Sequence, residues 1–197
     1  MVNEVYVNQE QERWTLADIT ALFDGVFATH YHTRLIRGQD EPLYRPADSD
    51  TPYHQVIFAH GYYASALHEI SHWCIAGEKR RQLEDYGYWY SPDGRNAEQQ
   101  AAFEQAEIAP QALEYWFTKA CGRPFHVSVD NLGGEAEVDR DAFHKRVMAR
   151  AERYAKEGLP HRAAAFHHAL EAYYQRGLKR EAAIAQGLER LLCVGLC

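Results

Sequence analysis

Cysteine is scarce in this chain: four residues in 197, with no Cys-x-x-Cys pair among them. That spacing excludes a zinc knuckle. Cys74, Cys121, Cys193 and Cys197 read instead as buried free thiols of a reducing compartment. Cys193 and Cys197 fall one helical turn apart, which alone is a weak metal signal. Long apolar runs are also absent, and none approaches the length that spans a bilayer. The stretch from Met1 to Glu12 is polar and acidic and lacks the apolar core of a signal peptide. These absences predict a cytoplasmic protein with no membrane contact. Basic residues are outnumbered, with 21 Lys and Arg against 28 Asp and Glu and a formal charge of −7. That balance argues against a general nucleic-acid binder and would suit a cationic substrate or a basic partner surface. There is no internal repeat and no low-complexity linker, so the length reads as one domain able to bury a core.

What the chain does have is Leu67-His68-Glu69-Ile70-Ser71-His72-Trp73. This is His-Glu-x-x-His, and it contains the only two histidines four apart. On a helix such a pair shares one face, so both imidazoles reach one ion. With this His and Glu content, about 0.05 accidental matches are expected. The motif follows an apolar, strand-like run, Val56 to Ala59, and its helix opens from Gly61.

The surrounding pattern is mixed. A first helix is predicted from Leu16 to about Ala28, with Thr15 as N-cap and Asp18 three residues on. Thr33 to Gly38 reads as a strand, and Leu43 to Arg45 as a short edge strand among prolines. Gln55 to Ala59 reads as a buried strand and Gly61 to Ala76 as the motif helix, stopped by Gly77. Tyr86 to Tyr90 is aromatic and strand-prone, and Ser91 to Gly94 is a turn. Ala97 to about Cys121 reads as a long helix that Pro110 kinks or divides. Pro124 to Asn131 reads as another strand. From Asp139 onward all is helical, with Phe143, Val147, Ala151 and Tyr154 as one apolar stripe. The class is therefore α+β: a single domain with a small sheet packed with helices, a zincin-like metal helix and a helical C-terminal part.

Two imidazoles suit Zn, Fe, Ni or Cu and need a further ligand, usually a carboxylate. Glu104, Glu107 and Glu114 are the nearest downstream carboxylates on a helix. Glu104 and Glu107 point to nearly the same side; Glu107 is favoured as third ligand and Glu104 is the alternative. Glu69 cannot join both histidines on the ion without strain. In zincins this glutamate is the general base for metal-bound water; in an oxygenase it would be a supporting group or would guide a substrate amine. His60 could touch the site or be an ordinary loop histidine. His30, His32, His167 and His168 read as surface or packing residues. Tyr86, Tyr88, Trp89 and Tyr90 could line a pocket for a long cationic side chain or pack in the core.

Several stretches together resemble the elongation factor P hydroxylase family. They are Thr33 to Gly38 with Glu41-Pro42-Leu43-Tyr44, the whole block from Phe58 to Gly77, Asp85 to Tyr90, Ser91 to Arg95, Pro110 to Leu113 and Asp130-Asn131-Leu132. The resemblance runs from about residue 16 to 175, with the motif-helix block the most specific part. It implies a metal-dependent monooxygenase acting on the lysine of translation elongation factor P that already carries a β-lysyl group. It also implies a fold unlike the jelly-roll hydroxylases and nearer a metal-dependent ribonuclease. The implied ligands are His68, His72 and a glutamate, and both Glu104 and Glu107 fit the pattern. The metal expected is Fe(II), with O₂ as co-substrate and the reductant open; Arg34, Arg37 and Arg95 leave a 2-oxoglutarate anchor open. Elongation factor P is the expected partner, no direct nucleic-acid contact is expected, and oligomeric state is open. The chain then divides into a variable segment 1–15, a metal-binding hydroxylase domain 16–177 and a helical tail 178–197. The alternative is a zinc-type metallohydrolase, peptidase or ribonuclease, with Glu69 as general base.

Overall fold

The computed structural model describes residues 13–87, 94–129, 131–134 and 138–193. Helix α1, Leu16–Tyr31, begins at Thr15, whose Oγ1 accepts from the Asp18 backbone N–H at 3.0 Å. That satisfies one of the donors a helix start leaves unpaired. Its apolar stripe, Ile19, Leu22, Phe23, Val26 and Phe27, is buried. The chain then enters strand β1, Thr33–Arg37, passes through β2, Leu43–Arg45, and returns as β3, His54–Phe58. The strand order is β1-β3-β2. β3 is central, parallel to β1 with Leu35 opposite Val56, and antiparallel to β2 with Tyr44 opposite Val56. β2 takes the edge, as its flanking prolines require. Asp24 ties the sheet to α1 by accepting the Leu35 N–H at 2.9 Å.

After β3 the chain reverses through His60 (φ 50°) and Gly61 (φ 70°). A side chain at Gly61 would press only on the flexible end of Arg37, its Cβ 2.6 Å from Nε, so it is the positive φ that makes the turn favour glycine. Ser65 closes the turn by accepting the Ala59 N–H at 3.0 Å. The motif helix α2, Tyr63–Ile75, follows. It ends at Ala76 in an extended conformation, one residue before the predicted stop.

Trp73 of α2 fixes this helix in the core. It meets Phe23 at 5.2 Å, Phe27 at 4.7 Å and Tyr31 at 5.5 Å, all edge-on. Its C-terminal carbonyls face a buried cation. Arg162 Nη2 donates to the carbonyl oxygens of Trp73 (2.8 Å), Cys74 (3.1 Å) and Ala76 (2.6 Å). A cation there complements the negative end of the helix.

Helix α3, Ala97–Cys121, opens on a capping box at Asn96 and Gln99. Pro110 lies inside it without dividing it: one helix of 25 residues spans the stretch. Helices α4 (Arg140–Glu157), α5 (His161–Tyr174) and α6 (Arg180–Leu192) complete the order. The predicted stripe of α4 is buried. α6 packs on α1 and α5, and a side chain at Gly187 would meet Val26 at 2.8 Å.

One predicted strand is not formed among the described residues. Residues 124–129 pair with no strand, and side chains occupy backbone groups a neighbouring strand would use. Gln111 both accepts from the Ser128 N–H (3.0 Å) and donates to the Ser128 carbonyl (2.6 Å), and Arg140 donates to the Val127 carbonyl (3.1 Å). Such side-chain pairing replaces a ladder. Tyr86 lies in a tight turn, Glu84–Gly87, and not in a strand; Tyr88, Trp89, Tyr90 and the Ser91 turn lie outside the described residues. Cys74 and Cys121 are free and buried as expected, whereas Cys193 is exposed.

Candidate metal centre

α2 and α3 pack against each other, and this pairing assembles the site. His68 and His72, one turn apart on α2, bring their Nε2 atoms to 3.1 Å. Glu107 from α3 meets both: its Oε1 is 3.1 Å from His72 Nε2 and its Oε2 is 3.4 Å from His68 Nε2. One ligand atom from each of the three lies within 4.8 Å of the others, a group that could hold a metal ion. Glu107 is 2% exposed. Glu104, the alternative, points elsewhere. It pairs with Arg146 at 2.9 Å and accepts from Gln100 Nε2 at 3.1 Å.

Two supports went unread in the sequence. Glu114 Oε2 lies 2.9 Å from His68 Nδ1. A carboxylate on Nδ1 fixes the tautomer that leaves Nε2 free for a metal. Gln111 Nε2 donates to Glu107 Oε2 at 3.1 Å while the same side chain clamps Ser128, so Glu107 is held from behind. The signal was present: Gln100, Glu107, Gln111, Glu114 and Thr118, spaced by seven, four, three and four, form a buried polar stripe down α3.

The electrostatics agree with a coupled cluster. Burial opposes charge on His68, but Glu107 and then Glu114 outweigh it and push its pKa up to about 10. Burial would raise Glu107, yet His72 and His68 hold it at about 2. Without metal the site is thus an ion-paired cluster, and a metal would replace the proton.

A cleft of about 910 Å³ opens beside this cluster, lined by His72, Glu107, Glu69, Asp85, Tyr86 and Glu41 among others. Burial raises the pKa of the Glu69 carboxyl, against the pull of His68 and His72. Glu69 is not in the three-residue metal group. Asp85 (φ 46°) and Tyr86 (φ 58°) reach the cleft from a turn with two successive non-glycine residues in the left-handed region, each costing about 1–3 kcal/mol. β2 holds that turn: Asp85 Oδ1 accepts the Tyr44 N–H at 2.8 Å, and the Tyr44 and Tyr86 rings stack at 4.3 Å. His60 is exposed on its turn and outside the group. Arg34, over the Tyr53 ring, Arg37 and Arg95 do not line the cleft; Lys79 and Arg80 do.

An α+β domain whose helical histidine pair meets a buried glutamate at the mouth of an acidic cleft has the form of a two-histidine, one-carboxylate metalloenzyme. The sequence profile of the elongation factor P hydroxylase family matches residues 22–184. The chain is also 48% identical over 159 residues to the elongation factor P lysine hydroxylase of Haemophilus influenzae, covering 81% of this chain and 89% of that protein. The chain belongs to the elongation factor P hydroxylase family and is a hydroxylase.

Proposed function

We propose that this protein hydroxylates the β-lysylated lysine of elongation factor P at a metal, Fe(II), held by His68, His72 and Glu107, with residues 16–177 carrying the chemistry. The observation that carries the reading is the convergence of two imidazole nitrogens and one buried carboxylate beside an acidic cleft. This donor set fits a divalent transition ion: two neutral imidazoles and one carboxylate are the facial set of oxygen-activating iron. When bound, the iron supplies activation of O₂.

The chain's own residues do the rest. Glu114 holds the His68 ring, and Gln111 holds Glu107. Glu41, Glu69 and Asp85 give the cleft a negative lining that suits a lysine side chain and weighs against RNA. Pro42, Ile75 and Ala106 give it an apolar wall that sheds water around the aliphatic part of that chain. Glu69, beside His68, is set to hold or move a proton in the cleft. No helix among the described residues is long and apolar enough to cross a membrane, and a translation factor as substrate puts the reaction in the cytoplasm.

Mass spectrometry of β-lysylated elongation factor P, incubated with the Fe(II)-loaded protein, O₂ and a reductant, tests the reading. The expected product gains one oxygen on the modified lysine with wild-type protein and none with His68→Ala or His72→Ala. Alanine is well tolerated in a helix, so both variants should keep the native circular dichroism. Product from either variant at the wild-type level would refute the metal-centred reading.

A further inference from the structure

We propose that Glu69, Asp85 and Tyr86 form the subsite that receives the ammonium group of the substrate's lysyl chain. The inference rests on the reading of the substrate as a lysine side chain. It adds the residues that would recognise the charge.

Three observations meet here. The Glu69 carboxylate lines the cleft and makes no hydrogen bond among the described residues. Asp85 spends one oxygen, Oδ1, on the Tyr44 N–H at 2.8 Å and keeps the other free of hydrogen bonds among the described residues. Tyr86 is 6% exposed and lines the same cleft, and its buried hydroxyl has no hydrogen-bond partner among the described residues. A buried hydroxyl without a partner is disfavoured and uncommon. Burial first, and then the neighbouring Glu69 carboxylate, with Asp85 contributing less, disfavour ionisation of that hydroxyl. It therefore belongs with the two acids.

The chemistry matches in number. An alkylammonium group offers three N–H donors and no acceptor. Glu69, the free oxygen of Asp85 and the Tyr86 hydroxyl oxygen offer three acceptors. The placement matches too. Glu69, Asp85 and Tyr86 line the same cleft as His72 and Glu107, so an ammonium held by the three keeps the rest of its chain in the cleft that the metal group borders. The turn that delivers Asp85 and Tyr86 is strained yet braced by Tyr44 on β2.

Two variants separate this from a structural role. Asparagine tolerates the left-handed conformation and keeps an oxygen for the Tyr44 N–H, so Asp85→Asn removes charge and little else. Tyr86→Phe keeps the stack on Tyr44 and deletes only the unpartnered hydroxyl. The probes are n-pentylamine and its neutral counterpart n-pentanol, titrated into the metal-loaded, oxygen-free protein and followed by NMR shifts of the cleft amides. Wild type should bind the amine about tenfold more tightly than the alcohol, a gap of about 1.4 kcal/mol. Asp85→Asn should lose most of that gap. Tyr86→Phe should narrow it by about threefold while its thermal midpoint stays unchanged or rises, a combination no packing role gives. With β-lysylated elongation factor P, both should raise KM more than they lower kcat. Where Asp85→Asn fails to fold, Tyr86→Phe decides alone. An amine preference left at the wild-type value in the folded variants would overturn the subsite. If wild type and variants behave as stated toward the amine but elongation factor P gains no oxygen, the substrate reading fails and the subsite stands.

Discussion

Glu114 is the residue whose replacement probes the proposed metal centre most finely, because it touches the proposed ligand His68 and is not itself in the metal group. Its Oε2 lies 2.9 Å from His68 Nδ1, and it is the second carboxylate, after Glu107, that lifts the His68 pKa. Partners of this kind typically contribute about 10–100-fold to metal affinity, or about 1.4–2.8 kcal/mol. Glu114→Gln keeps an oxygen that accepts from Nδ1–H but removes the charge, so a loss near the lower end, about tenfold, is expected. Glu114→Ala leaves Nδ1 with no acceptor and frees the ring to turn, so a loss near the upper end, about 100-fold, is expected. Competition with a fluorescent chelator for one metal ion at fixed pH measures both. Glu104→Gln is the matched control. Glu104 pairs with the well-exposed Arg146, a contact worth about 0–1 kcal/mol of stability, and its loss should leave metal affinity unchanged. Wild-type affinity in Glu114→Ala, or a loss in Glu104→Gln as large as in the Glu114 variants, would refute the reasoning.

Three further outcomes follow. Glu69→Gln should keep its metal content but lose about 10²–10⁴-fold in activity if Glu69 moves a proton; loss of bound metal in that variant would make Glu69 a ligand instead. With its pKa up at about 10, His68 is protonated at neutral pH in the metal-free protein, and a ligating imidazole must be neutral. Metal uptake at neutral pH should therefore release about one proton, and apparent affinity should climb as pH rises toward 10; calorimetry in buffers of different ionisation heat reads the proton, and a pH-independent affinity would contradict the assignment. The same shifts stabilise the metal-free fold, His68 losing its contribution as pH rises from its ordinary 6.5 through about 10 and Glu107 as pH falls from 4.5 through about 2. Arg162→Ala strips three carbonyls at the end of α2 of their donor; a cost of about 3 kcal/mol and a Tm lower by about 6–12 °C are expected, and a Tm within about 2 °C of wild type would show the cap to be dispensable.

The local half of the site was legible in the sequence and the tertiary half was not. His68 and His72 share a face because four residues make about one helical turn, a relation needing no knowledge of the fold. Choosing between Glu104 and Glu107 required the rotation of α3 against α2, which spacing does not contain. The sequence signal for that rotation is the polar stripe from Gln100 to Thr118, which is buried where an ordinary helix puts apolar residues. The strand predicted at 124–131 failed because Gln111 and Arg140, remote in sequence, take its backbone groups. Of the kink or division that Pro110 predicts, the division does not occur, since α3 runs through it. Tyr86 was misread because its β-propensity was overridden by a strained turn held from β2, and propensity carries no information about that bracing.

The central claim is that the cluster of His68, His72 and Glu107 inserts oxygen into a lysine side chain of elongation factor P. Incubation of Fe(II)-loaded protein with β-lysylated factor under isotopically heavy O₂ in ordinary water, read by tandem mass spectrometry, tests it most directly. One heavy oxygen is expected on a carbon of the modified lysine, lost on chelation and in Glu107→Ala, and retained in Glu104→Gln. A factor recovered at its starting mass, or one carrying oxygen from water, would contradict it.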